Sequence, residues 1–294
     1  DAVSFTNVCC RHAQGVAPAG KVSEEHLASG EVCYARNNGL DLNPSGYQTL
    51  KEDATPVLDP THKVVGKAED GTYSNEVLSE MAKHKGTADD PYPLSNASEL
   101  QAMRRCMVPG QMTYFVLTQD IDMSGVQNWE ILNSEGDVSE GLGYRNYIHF
   151  DGRGHVIKNF SSSANTYPSF FGVLCGECRN VGFLNARVES TMSTGAILCG
   201  YMGHSTFKDA EGNLLPVVVE NCYFEGTVSG KGYLGAIGGT LNYSPVTIRN
   251  CYSNVQILGT STIGNYAGGL AGRIRTQVHL ERSYAAAHVI AYNA

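Results

Sequence analysis

The sequence predicts an all-β chain, a right-handed parallel β-helix (solenoid), with a short capping helix and an irregular α+β N-terminal region. Three observations carry this. Glycine-rich segments recur in the second half: "SFFGVL", "TGAILCGY", "LGAIGGTL" and "AGGLAGRI". Each is followed by a strand-like stretch, and the asparagines or arginine marking equivalent points, Asn180, Asn221, Asn250 and Arg282, are 41, 29 and 32 residues apart. Composition agrees: 33 of 294 residues are glycine and only 17% are charged, which favours tight turns and close backbone approach over a solvated helical surface.

In chain order, residues 1–91 form the irregular N-terminal module. Ser23 followed by Glu24 and Glu25 reads as an N-cap with acidic first turn, giving a short helix that ends by Gly30. Residues 92–294 form the repeat domain. "SNASELQAMRRCM" reads as a helix capped by Ser95 or Asn96, with Leu100, Met103 and Met107 at helical spacing and Pro109-Gly110 as its stop. Such a helix would cover the open first edge of the solenoid. "TYFVLTQDIDM" is the first strand, and "HFDGRGHVIKNF" contains a turn between two more.

The repeats themselves read as short β-branched and aromatic runs punctuated by glycine. A strand that cannot bury its apolar side alone must stack on its neighbours, and a period of 20–50 residues fixes the whole architecture. In register, Asn221 stacks with Asn250 and Cys222 with Cys251. The asparagines can then form an amide ladder and the thiols can fill a narrow interior. Gly172, Gly195, Gly235, Gly239, Gly268 and Gly272 are taken as the repeated corner and core glycines, with Cys199 replacing the terminal glycine in "GAILCG". The last unit, "YAAAHVIAYNA", has no polar cap, so the domain is expected to be cut short, with further domains of the same polypeptide beyond.

"GAIGG" and "GGLAG" resemble the GLUG motif, and the lead-in "DID", "FDGRGHVIKNF" and "YPSFFGVL" resembles the coils that precede it. This likeness spans roughly 92–294. It implies membership of the GLUG-motif repeat proteins, bacterial surface or secreted proteins that include adhesins and some large immunoglobulin-cleaving metallopeptidases. The zinc signature His-Glu-x-x-His is absent, as are Gly-x-Ser-x-Gly and a phosphate loop. The expectation is therefore of no enzyme and no cofactor: an extracellular or cell-surface scaffold, adhesin or binding module. Its partner would be a glycan or a host surface protein.

Net charge −8 disfavours nucleic acid, and no apolar run reaches the length of a membrane span. Asp120 and Asp122 lie two apart, so on a strand they share a side and could bind a cation or act as acid and base. That pair motivates the alternative reading, a polysaccharide lyase or glycoside hydrolase. Tyr144, Tyr147, Tyr201, Tyr233 and Tyr266 are candidate ligand-contact aromatics. Cys175-Gly-Glu-Cys178 has half-zinc-site spacing but no second pair, so no metal site is read there; it reads as a local disulfide or plain turn residues. His149 and His155 beside "FDGRG" are read as turn-flanking residues. The nine cysteines are read as mostly reduced and buried.

Overall fold

The structure, a computed structural model, describes residues 9–10, 20–37, 46–67, 71–76, 81–108, 110–126, 129–132, 146–192, 194–260 and 266–291. Tyr144 and Pro109 lie outside them. The chain separates into two compact units, residues 1–84 and 85–294.

In the first unit, helix α1 (Glu24–Ala28) is capped by the Ser23 hydroxyl, which accepts from the His26 N–H. Helix α2 (Glu31–Arg36) follows after Gly30, whose φ of +90° makes the corner. The Asp53 carboxylate accepts from the Thr49 N–H and pairs with His62 Nδ1 at 2.7 Å, tying two loops together.

The second unit is mostly β with parallel sheets, an arrangement consistent with a β-helix. Helix α3 (Ala97–Cys106) carries Asn96 at its N-cap, accepting from Glu99 N–H, while Glu99 reaches back to Ser95 N–H. This reciprocal pairing satisfies the Glu99 N–H of the first turn and the Ser95 N–H just ahead of the cap. Leu100, Met103 and Cys106 are its buried side.

From residue 147 the chain returns repeatedly to the same set of parallel sheets. Five rungs result: 147–174, 176–202, 217–241, 246–274 and 278–290. The first sheet stacks Tyr147–Asp151, Gly176–Arg179, Val217–Glu220, Val246–Arg249 and Val278–Glu281, each parallel to the next. The second does the same with Val156–Lys158, Gly182–Ser190, Tyr223–Gly230 and Tyr252–Gly259. A third sheet holds Phe171–Leu174, Cys199–Met202, Gly238–Leu241 and Ala271–Ile274, and a short fourth precedes it in the second, third and fourth rungs. The spacing of 41 between Asn180 and Asn221 arises because residues 203–216 leave the stack after the second rung and return.

Strand alternation puts Phe150, Cys178, Val219 and Ile248 inward in one row, all buried. Phe160, Phe170, Phe171, Phe183 and Trp129 fill the lower rungs edge to face, with Trp129 stacked on Phe170 at 4.9 Å. Each such ring buried contributes roughly 1.5–3 kcal/mol.

Register assigns the glycines. Gly172, Gly200, Gly239 and Gly272 form one column. A Cβ on Gly239 would lie 2.8 Å from the Gly200 carbonyl oxygen and 2.9 Å from that of Tyr233. The third and fourth sheets thus press backbone on backbone, which only glycine permits. The assignment from sequence is off by one at "GAILCG": Gly195 pairs with Leu234, and Ala196 lies opposite Gly235. Cys199 pairs with Gly238, so the column glycine of that rung is retained as Gly200. The reason is that the inward side chains Cys199 and Met202 fix the strand on Gly238 and Leu241.

Candidate functional site

The outer surface is organised in columns, because parallel in-register rungs place equivalent side chains one strand spacing apart. At the corner between the first two sheets, Asn180, Asn221 and Asn250 all have φ near +54°, a left-handed conformation that asparagine tolerates. Asn221 Nδ2 donates to Asn180 Oδ1 at 2.9 Å, and Asn250 Nδ2 to Asn221 Oδ1 at 3.0 Å. The column is closed at one end by Asp151, which accepts from Asn180 Nδ2, and at the other by Arg282, which donates to Asn250 Oδ1. Carboxylate accepts only and guanidinium donates only, so every amide bond points the same way. A second column, Asp122–Asn159–Asn185, begins in the same manner. Behind the first, Cys222 and Cys251 are buried side by side.

Beside the asparagines runs a row with alternating charge: Asp151, Arg179, Glu220, Arg249 and Glu281, successive partners in register. Arg179 Nη1 is 3.2 Å from Glu220, and Arg249 Nε is 2.6 Å from it on the other side. The Arg249 guanidinium, with Arg179 adding to it, holds the Glu220 carboxyl below its ordinary value. The sequence reading missed this row. Its signal was present in the residue before each marked asparagine or arginine: Arg179-Asn180, Glu220-Asn221, Arg249-Asn250, Glu281-Arg282.

Asp120 and Asp122 flank the inward-facing Ile121. Asp120 accepts from Lys158 Nζ at 2.9 Å and from the Val156 N–H, with His155 Nδ1 at 3.5 Å. Asp122 accepts from Asn159 Nδ2 and the Ser124 N–H. The Lys158 ammonium holds the Asp120 carboxyl below its ordinary value, and the Asn159 amide does the same for Asp122. Both are therefore carboxylates fixed by donors, with neither held protonated as a general acid requires. His149, instead of joining them, pairs with Glu177 at 3.1 Å and stacks on Tyr114. Among the described residues, no group of three or more His, Cys, Asp or Glu side chains is placed to hold a metal ion.

The tyrosines divide by environment. Tyr147 donates to the Thr206 carbonyl and packs on Phe207, so it anchors the 203–216 excursion. Tyr201 accepts from Asn242 Nδ2 and packs on Tyr167. Tyr233 accepts from Arg273, whose guanidinium also lies over its ring at 4.7 Å, and has Tyr266 against it. Of these four, Tyr266 alone is largely open, 57% exposed; Tyr243 and Tyr284 are exposed as well. Cys175 and Cys178 are buried free thiols, as are Cys33, Cys106, Cys199, Cys222 and Cys251. No helix among the described residues is long and apolar enough to cross a membrane.

These features define a mostly β protein of stacked parallel rungs whose surface is ordered into polar columns. No protein-family model matches the sequence, and no curated protein does. One solved structure, that of "a putative immunoglobulin A1 protease from Bacteroides ovatus", aligns with a TM-score of 0.55 and 34% identity, over 70% of this chain and 69% of that one. The chain belongs to the same family as that Bacteroides ovatus protein. This corrects the expectation that the chain is not an enzyme: absent catalytic signatures such as His-Glu-x-x-His are motif-level evidence, and the named likeness to a protease outweighs them.

Proposed function

We propose that this chain is a right-handed parallel β-helix of the GLUG-repeat type that serves at the bacterial surface, or outside the cell, in the proteolysis of a host immunoglobulin-type glycoprotein. In this reading the rungs form the rigid body that engages the polypeptide to be cut. The observation that carries the reading is the likeness to the Bacteroides ovatus protein over some two thirds of both chains. The crossover rule for parallel strands favours the right hand. Pre-formed, fully bonded outer columns favour recognition by a surface that does not reorganise on binding.

The test is to immobilise the full chain and pass immunoglobulin A1 over it. The incubated heavy chain is then examined by mass spectrometry. Saturable binding with discrete heavy-chain fragments is the expected result. Neither binding nor fragments would end the proposal.

A further inference from the structure

The charges of the rungs are sorted by sheet. Asp151, Glu177, Glu220 and Glu281 stand on the first sheet, and Glu189 and Glu225 on the second. The described strands of the third and fourth sheets carry no Asp or Glu, although the chain as a whole has net charge −8. Their one charged residue is Arg273.

Aromatic side chains gather around it. Tyr201, Thr240 and Arg273 are successive partners in register, next to the inward Met202 and Leu241. Tyr167 packs on Tyr201 with ring centres 5.6 Å apart, and its φ of +50° is unusual for an aromatic residue. Asn242 holds the Tyr201 hydroxyl at 2.6 Å. Arg273 turns back over the third rung, its guanidinium 4.7 Å from the Tyr233 ring centre and its Nη1 donating to the Tyr233 hydroxyl at 2.7 Å. Among the described residues no carboxylate pairs with it. Thr240, between Tyr201 and Arg273, is 2% exposed and its hydroxyl has no hydrogen-bond partner among the described residues. Rungs add along the axis of the stack, whereas these side chains stand away from the sheet at right angles to it. Their exposure therefore does not depend on where the stack stops.

We propose that this face binds a saccharide bearing a carboxylate, with Arg273 taking the carboxylate and Tyr201 and Tyr233 lying against the sugar rings. Each part answers one feature of such a ligand. The electron-rich face of a tyrosine suits the C–H side of a pyranose. A guanidinium matches a carboxylate with two parallel donors. The lack of acidic neighbours removes the repulsion that the first sheet would present to an anion. The Thr240 hydroxyl can both donate to and accept from a sugar hydroxyl. The inference stands apart from the proteolysis reading, since it requires binding and no cleavage.

The experiment titrates the full chain calorimetrically with trigalacturonate and with its neutral methyl ester. A second arm uses 3′-sialyllactose and lactose, which separates a uronate polymer from a sialylated glycan as the source of the acid. At least one acid should bind about fivefold more tightly than its neutral counterpart, the scale of a partly exposed ion pair. Arg273→Gln should abolish that difference, whereas Arg275→Gln, at an exposed cation two residues away, should preserve it. Tyr201→Ala should weaken acid and neutral sugar alike. Misfolding cannot imitate a variant that keeps the neutral sugar and loses only the preference for the acid. No binding by either acid, equal affinity for acid and neutral sugar, or equal effects of the two arginine variants would overturn the proposal. So would displacement of the sugar by an equal concentration of hexaglutamate, because the face would then read charge on a peptide.

Discussion

Asn221 is the residue through which the amide column can be weighed. It has φ +53° and joins Asn180 to Asn250 by two hydrogen bonds of 2.9 and 3.0 Å. Two contributions are separable. An ordinary L residue held left-handed costs roughly 1–2 kcal/mol, which asparagine partly escapes. Each neutral hydrogen bond contributes about 0.5–1.5 kcal/mol, and the exposed position puts these two at the low end. Asn221→Ala loses both contributions, about 2–3 kcal/mol in all. Asn221→Gly keeps the backbone at ease and loses only the bonds, about 1 kcal/mol. For a unit of this size 1 kcal/mol moves the melting temperature by roughly 2–4 °C. The alanine variant should thus melt about 6 °C or more below the parent and the glycine variant about 3 °C below, by far-UV circular dichroism. Equal losses for glycine and alanine would refute the conformational part. Losses under about 0.5 kcal/mol in both would refute the column as a source of stability.

Other expectations follow from the same geometry. Gly239→Ala should cost roughly 1–3 kcal/mol by overpacking, whereas Gly125→Ala, with open space at its Cβ, should fall within about 0.5 kcal/mol of the parent in urea titrations. His62 is raised above 6.5 by its hydrogen bond to Asp53, and Asp53 is lowered below 3.8 by the same bond. The imidazole contribution is full below pH 6.5 and fades as pH rises through the raised value. The carboxylate contribution is full above pH 3.8 and fades as pH falls through the lowered one. The pair therefore stabilises most between those limits, and His62→Gln should remove the loss of stability that the parent shows as pH rises above 6.5 through the raised value. The buried thiols should resist alkylation at pH 8 until the chain is unfolded. Burial pushes Cys33 up to about 11 and Cys175 up to about 12. Rapid labelling of either in the native protein would contradict its burial.

The parts of this molecule legible from sequence are those where one residue type answers one geometric demand. Asn-Cys at 221–222 and again at 250–251 announces a corner with left-handed backbone followed by an inward small side chain, and both properties are local. Gly195 misled because a glycine beside the column position looks the same as one in it; only the inward packing of Cys199 and Met202 decides the register. The charge row escaped because its members are never near in sequence, and pairing becomes visible only after the rungs are counted. The tyrosines were ambiguous for a similar reason. A ring that anchors a loop, as Tyr147 does, and a ring left open, as Tyr266 is, share the same composition signal.

The two outer columns keep different time. The asparagine column repeats every rung, so excising residues 217–245 would bring Asn250 against Asn180 and leave its bonding pattern intact. The neighbouring row repeats only every second rung, and the same excision would set Arg249 against Arg179. Adding or removing rungs two at a time keeps both columns in step, whereas losing one rung sets like charges side by side in the second while leaving the first unbroken.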